Sequence, residues 1–298
     1  MAVFANLQKR LTTAAVLIGL VVLCLLLSVF TVSGRWSLVF LSFLAAELAA
    51  WEFARICAGD PWNRLKIVLY FFALGLPSLL LLVAFCFDQE LALLLASGAV
   101  LRGCELKLMG VALLLSFLSL LGFAVWSGRQ ELRNFDGISR EGFLGLLHIG
   151  MGGACLLVFP LKDDGARAVL WLLLVVIAND AASYFAGSKF QGPKLAAALS
   201  PGKTVSGALG GLAAGILIGV VSFGLFPGGW SKEGFFGALL ISLLAVIAAQ
   251  LADLAKSYVK RLYGVKDSGT LLPGHGGVLD RIDGLLGAAP IVYLWGYL

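Results

Sequence analysis

The sequence predicts an all-α fold, a polytopic integral membrane protein of about nine transmembrane helices, on three observations. Of its 298 residues, 60% are hydrophobic and 13% charged, whereas soluble domains run at roughly one half and one quarter. The apolar residues fall in repeated runs of about 20, the length a helix needs to cross the hydrocarbon of a bilayer. Threading those runs alternately leaves only Arg35, Arg102, Lys107, Lys162, Arg167 and Lys232 of the 22 Lys and Arg residues on one side. The other side is then basic, as the positive-inside rule expects of a cytoplasmic face.

Taken in order, the runs place spans near 11–33, 36–54, 65–86, 107–127, 143–160, 168–187, 205–226, 234–255 and 285–298. The first follows Lys9 and Arg10 and exceeds the roughly 7–15 apolar residues of a signal peptide, with no small-residue cleavage site after it, so it is expected to be a retained span. Segment 91–101 is apolar but too short to cross. Trp36, Trp62, Trp126, Trp171 and Trp230 fall at span ends, where an aromatic belt is expected. Loops 188–204 and 256–284 emerge on the same face because two spans separate them. Residues 1–140 thus form an N-terminal set of helices, and 141–298 a C-terminal region that carries both polar loops.

Cys24, Cys57, Cys86, Cys104 and Cys155 are dispersed without a CxxC pair, which argues against a disulfide framework or zinc site. The net charge of +5 reads as basic loops rather than nucleic-acid binding. Gly207, Gly211, Gly215 and Gly219 share one helical face, a spacing that lets membrane helices approach closely. Packing within the chain is the expected use, with a homodimer seam the alternative.

Chemistry concentrates in the two loops. In "KDSGTLLPGHGGVLDRIDG", Asp280 and Asp283 stand three apart after a glycine-rich turn, so a helix starting near Leu279 puts both carboxylates on one face. Such a pair suits Mg²⁺, which takes one or two carboxylates and leaves other positions to water and phosphate; it equally suits a helix N-terminus through the dipole. Upstream, "ADLAKSYVKR" carries Asp253 at the end of an apolar helix, followed by Lys256, Lys260 and Arg261. The other loop begins inside a span with Asn179 and Asp180 and leaves through Lys189, Lys194, Ser200, Lys203 and Thr204. An ionisable residue at membrane depth is a functional candidate; interhelical hydrogen bonding is the expected role of Asn179. "PGKT" is no phosphate-binding P-loop, since the required glycine is Ala197 and no strand precedes it. Carboxylates for a cation and Lys/Arg for phosphate oxygens suit metal-dependent phosphoryl or nucleotidyl transfer at a bilayer face.

The run "SYVKRLYGVKDSGTLLPGHGGVLDRID", Ser257 to Asp283, resembles the C-terminal signature of the CDP-diacylglycerol synthases (phosphatidate cytidylyltransferases). The loop after Asp180 is similar to that family's middle motif, and "LAAWEF" at 48–53 to a weaker N-terminal feature. Lys256 departs from the pattern, which usually has an acid there, as do Ala252 and Ser206.

The resemblance implies that CTP and phosphatidate give CDP-diacylglycerol and pyrophosphate with Mg²⁺, in an inner membrane of bacterial type with the site facing the cytoplasm. It implies Asp280, Asp283 and Asp253 as metal ligands, with Lys266 and Arg281 also catalytic. Asp180, Ser200, Lys203, Lys260, Arg261, Asp267 and His275 would bind substrate. A CTP-dependent enzyme acting on a prenyl or phytyl phosphate, an anionic-lipid transporter and an inactive homologue are the alternatives.

Overall fold

The computed structural model describes residues 2–31, 34–59, 64–87, 104–129, 132–162, 165–223 and 234–297. Helices account for nearly all of them: α1 (Ala2–Phe30), α2 (Arg35–Ala58), α3 (Arg64–Phe87), α4 (Cys104–Gly128), α5 (Leu132–Gly145), α6 (Met151–Val158), α7 (Gly165–Phe190), α8 (Val205–Phe223), α9 (Gly234–Leu262) and α10 (Leu279–Tyr297). Among the described residues eight helical runs are long and apolar enough to cross a membrane, and the 19-residue α10 coincides with the expected last span. The chain is an integral membrane protein of all-α type.

Two features refine the expected outline. The span expected at 143–160 is the apolar end of a longer run. The charged, amphipathic α5 passes through a π-helical turn at Leu146–Gly150 into α6 and a final turn at Phe159–Leu161. A two-stranded antiparallel hairpin also joins α7 to α8, with β1 (Lys194–Ala196) paired to β2 (Ser200–Thr204). Trp62, Arg102, Trp230, Lys232 and segment 91–101 lie outside the described residues, as do the side chains of Cys86 and Cys104. Cys24, Cys57 and Cys155 are free and buried.

The glycine face is used inside the chain. Gly207, Gly211, Gly215 and Gly219 are all buried on α8. A Cβ at Gly211 would run into Ser183 and Asn179 of α7, and one at Gly215 into Val246 of α9. The helix is therefore wedged between α7 and α9, the packing within the chain expected of this face. Close approach also brings side chains onto neighbouring backbones. Gln250 Nε2 donates to the Ala208 carbonyl at 3.0 Å, and Trp171 Nε1 to the Gly219 carbonyl at 2.9 Å. Trp171 is consequently fully buried, not part of an interfacial belt. The bare backbone of Gly219 leaves the slot its indole fills, while Trp36 and Trp126 are exposed as a belt requires.

The two polar loops meet at one end of the bundle, as the threading requires. Arg261 Nε at the end of α9 donates to the Leu199 carbonyl in the hairpin turn, 3.2 Å away. Thr13 on α1 donates to the Pro273 carbonyl at 3.1 Å, so the start of α1 lies at this end too. Glu141 of α5 accepts from Tyr70 of α3 at 3.2 Å and from Tyr263, just past α9, at 2.7 Å; Lys66 lies 3.6 Å away. Burial and the adjacent Glu141 carboxylate push the Tyr263 phenol up, so it remains a donor.

Candidate active site

Helical spacing gathers the charges. Asp253, Lys256 and Lys260 recur every three or four residues on α9, one stripe of a helix, and Asp280 with Asp283 opens α10. Gly287 lets α10 lie against Ala248 and Ala252 of α9, which sets the two stripes face to face.

Lys256 stands at the centre. Its Nζ lies 2.5 Å from Asp283 Oδ2, 3.1 Å from Asp253 Oδ1 and 3.4 Å from Asp280 Oδ1, and the residue is 5% exposed. Lys203, carried in by β2, pairs with the other oxygen of Asp253. Lys260 reaches Asp280 Oδ1 at 2.7 Å. The Ser268 amide and hydroxyl donate to Asp280 Oδ2 at 2.7 and 2.9 Å. Burial alone would raise the Asp280 carboxyl, but the hydrogen bonds from Lys260 and Ser268 and the charge of Lys256 outweigh it and hold it at about 2. The carboxylate is therefore ionised at any physiological pH.

Asp180 sits beside this centre, accepting from Asn179 Nδ2 at 2.9 Å; Asn179 Oδ1 in turn accepts from Gln250 Nε2 at 2.8 Å. Asn179 thus makes the interhelical hydrogen bond expected of it. A cleft of about 400 Å³ opens here, lined by Asn179, Asp180, Ser183, Lys203, Gln250 and Asp253 among others. Its size is that of a small-molecule site. Tyr184, Phe185 and Phe190 are exposed on the same end of α7.

The remaining expected residues are distributed more loosely. Arg261 is exposed and engaged with Leu199, and Ser200 pairs with Ala196 at the base of the hairpin turn. Lys266 and Asp267 are exposed on the loop between α9 and α10. Arg281 clamps the His275 carbonyl through Nε at 3.1 Å and a terminal nitrogen at 2.6 Å, so the backbone of His275 braces the glycine turn. That turn closes on itself, Leu272 and Gly276 exchanging backbone hydrogen bonds of 2.9 and 3.1 Å.

Glu52 of α2 was not foreseen as a site residue. Its carboxylate accepts from the amides of Val278 at 3.0 Å and Leu279 at 2.9 Å and lies 3.0 Å from the Ser268 hydroxyl, whose one proton it shares with Asp280. It caps the N-terminus of α10, whose first amides have no partner within the helix. Gly269 and Gly277 lie so close to this carboxylate that a Cβ on either would collide with it. Through Ser268, Glu52 also positions Asp280. The available signal was a lone acid within the apolar "LAAWEF" segment, an ionisable group at membrane depth.

The three aspartates expected as metal ligands do converge, and their oxygens are those a hard divalent cation prefers. The point of convergence, however, holds the Lys256 ammonium, and no cluster of three or more metal-ligating side chains has the geometry of an ion site among the described residues. A Mg²⁺ ion held directly by all three does not fit this arrangement.

The bundle thus carries at one polar end aspartates paired with lysines beside a ligand-sized cleft. The chain belongs to the cytidylyltransferase family, whose sequence model matches residues 8–298. It is 47% identical over 157 residues to the phosphatidate cytidylyltransferase of Brucella suis biovar 1, covering 51% of this chain and 55% of that protein. Identity to the phosphatidate cytidylyltransferase of Helicobacter pylori strain J99 is 46% over 147 residues, 49% of this chain and 53% of that one. These matches span about half the length of each relative. The phosphatidate cytidylyltransferase of Bacillus subtilis strain 168 matches more extensively, at 31% over 266 residues, 87% of this chain and 88% of its own.

Proposed function

We propose that the chain is a phosphatidate cytidylyltransferase of phospholipid biosynthesis, working at the cytoplasmic face of an inner membrane. The carrying observation is the cluster of Lys203, Lys256 and Lys260 interleaved with Asp253, Asp280 and Asp283, which borders the cleft through Lys203 and Asp253, together with family membership. Amide and carboxylate groups of Asn179, Asp180 and Gln250 line a cleft sized for a nucleoside. Cationic Lys203, Lys260, Arg261, Lys266 and Arg281 suit phosphate oxygens. The exposed aromatic residues of α7 suit the acyl chains of a lipid that stays in its leaflet.

In this reading a phosphate oxygen of phosphatidate attacks the α-phosphorus of CTP. The new P–O bond joins CMP to the lipid phosphate as the bond to the β-phosphate oxygen breaks and pyrophosphate departs. The attacking oxygen is already anionic at neutral pH, so no general base is required. The chain's contribution is to align the two anions and offset their mutual repulsion. A divalent ion such as Mg²⁺ would enter with the nucleoside triphosphate and supply charge neutralisation there.

The test supplies purified protein in mixed micelles with radiolabelled CTP, phosphatidate and Mg²⁺. Label is expected in an organic-extractable lipid, matched one to one by pyrophosphate and lost on chelation with EDTA. Label transferred only to a prenyl or phytyl phosphate, or to no lipid, overturns the reading.

A further inference from the structure

We infer that Lys256 is a built-in cation, its ammonium occupying the carboxylate nest in which Asp253, Asp280 and Asp283 would otherwise gather a metal ion. Three aspartates from two helices point at one place, and like charges so close repel unless a cation lies between them. The ammonium is a compact point charge with three donors, one for each carboxylate. Its contacts of 2.5, 3.1 and 3.4 Å reach all three acids. The side chain is buried and anchored within α9, so the charge cannot diffuse away.

Surrounding groups take up the remaining oxygens of Asp253 and Asp280. Lys203 pairs with Asp253, while Lys260 and Ser268 pair with Asp280. The nest is therefore neutralised by the chain's own lysines. An acid at position 256, the residue type the signature usually carries, would invert this balance by two charges and call for cations from solution. The inference rests on the proposed nucleotidyl transfer only for why a cation is wanted there; the occupancy of the nest stands on the geometry.

The test measures binding of Mn²⁺, a paramagnetic oxygen-seeking ion, to the purified full chain in detergent without nucleotide, by loss of its free electron-paramagnetic-resonance signal. The wild type is expected to bind none at this nest, so Asp283→Asn leaves its Mn²⁺ titration unchanged. Lys256→Gln is expected to take up one Mn²⁺ at least tenfold more tightly than the wild type, and adding Asp283→Asn removes it. Lys256→Met repeats the gain without an amide oxygen that might itself ligate. Thermal unfolding in the same detergent shows that the variants are folded.

Wild-type binding of one Mn²⁺ that Asp283→Asn abolishes overturns the inference, whatever the variants do. So does the absence of any gain in folded Lys256→Gln and Lys256→Met. Failure of the wild type to label lipid from CTP would remove the proposed reaction and leave the binding results to decide this point separately.

Discussion

The Glu52 carboxylate lies 2.9 Å from the Leu279 amide, which ties the second helix of the chain to the first residue of the last. The acid is 2% exposed and also serves Val278 and Ser268. Replacing it with alanine strands the two buried amides of Val278 and Leu279, each costing about 1–3 kcal/mol. We expect Glu52→Ala to lower the unfolding temperature in detergent by several degrees and cytidylyl transfer by more than tenfold. Unchanged values in both assays would show that the cap is dispensable.

Asp283 is paired at 2.5 Å with a buried ammonium. Breaking one partner of a buried ion pair costs about 3–5 kcal/mol, and Asp283→Asn does so with almost no change in shape. Labelled-lipid formation should fall at least a hundredfold while the helical circular dichroism persists. Undiminished product would separate Asp283 from the reaction.

Lys203 reaches the nest from the hairpin, not from a transmembrane helix. Its loss leaves Lys256 to serve Asp253 alone and takes one positive charge from the cleft. Lys203→Gln should lower kcat/KM for CTP by roughly ten- to a hundredfold. Kinetics that vary CTP at saturating phosphatidate measure it.

The glycines of α8 give a paired stability test. Gly211→Ala drives a methyl into Ser183 and Asn179, whereas a Cβ at Gly122 in α4 meets nothing within 4 Å. Overpacking costs about 1–3 kcal/mol, while Gly→Ala in an open helical position gains up to about 1 kcal/mol. Unfolding temperatures should therefore move in opposite directions for the two variants.

Sidedness is open to direct labelling. In a cysteine-free background, Ala198→Cys in the hairpin turn and Thr270→Cys in the glycine loop should both react with an impermeant maleimide in inverted membrane vesicles. Neither should react in right-side-out spheroplasts. Labelling from opposite sides would break the alternate threading and the shared face.

The spans were legible because hydropathy is a local property: a run such as Leu11 to Val32 declares its environment without reference to any partner. Asp280 and Asp283 were legible for a related reason, since a separation of three residues on a helix is geometry in itself. Trp171 was misplaced because its setting depends on Gly219, 48 residues away. Glu52 was missed because its partners are up to 227 residues distant. Lys256 registered as one of three basic residues after Asp253 and as a departure from a pattern; its three-way pairing exists only once α9 and α10 are side by side. The hairpin escaped notice because "KLA" and "SPGKT" have little strand character of their own. Tertiary anchors hold it, including the Val205 amide on the Pro193 carbonyl at 2.9 Å.

The cap on α10 joins two parts of the chain that are synthesised far apart in time. Glu52 enters the bilayer long before the ribosome has made Leu279, and until then this acid has none of the amides that later surround it. A nascent chain stopped short of the last helix carries this acid without the Val278 and Leu279 amides that pair with it in the folded chain. Assembly of this polar end is thereby coupled to placement of the final segment, because Glu52, Ser268 and Asp280 meet only when α10 is in place.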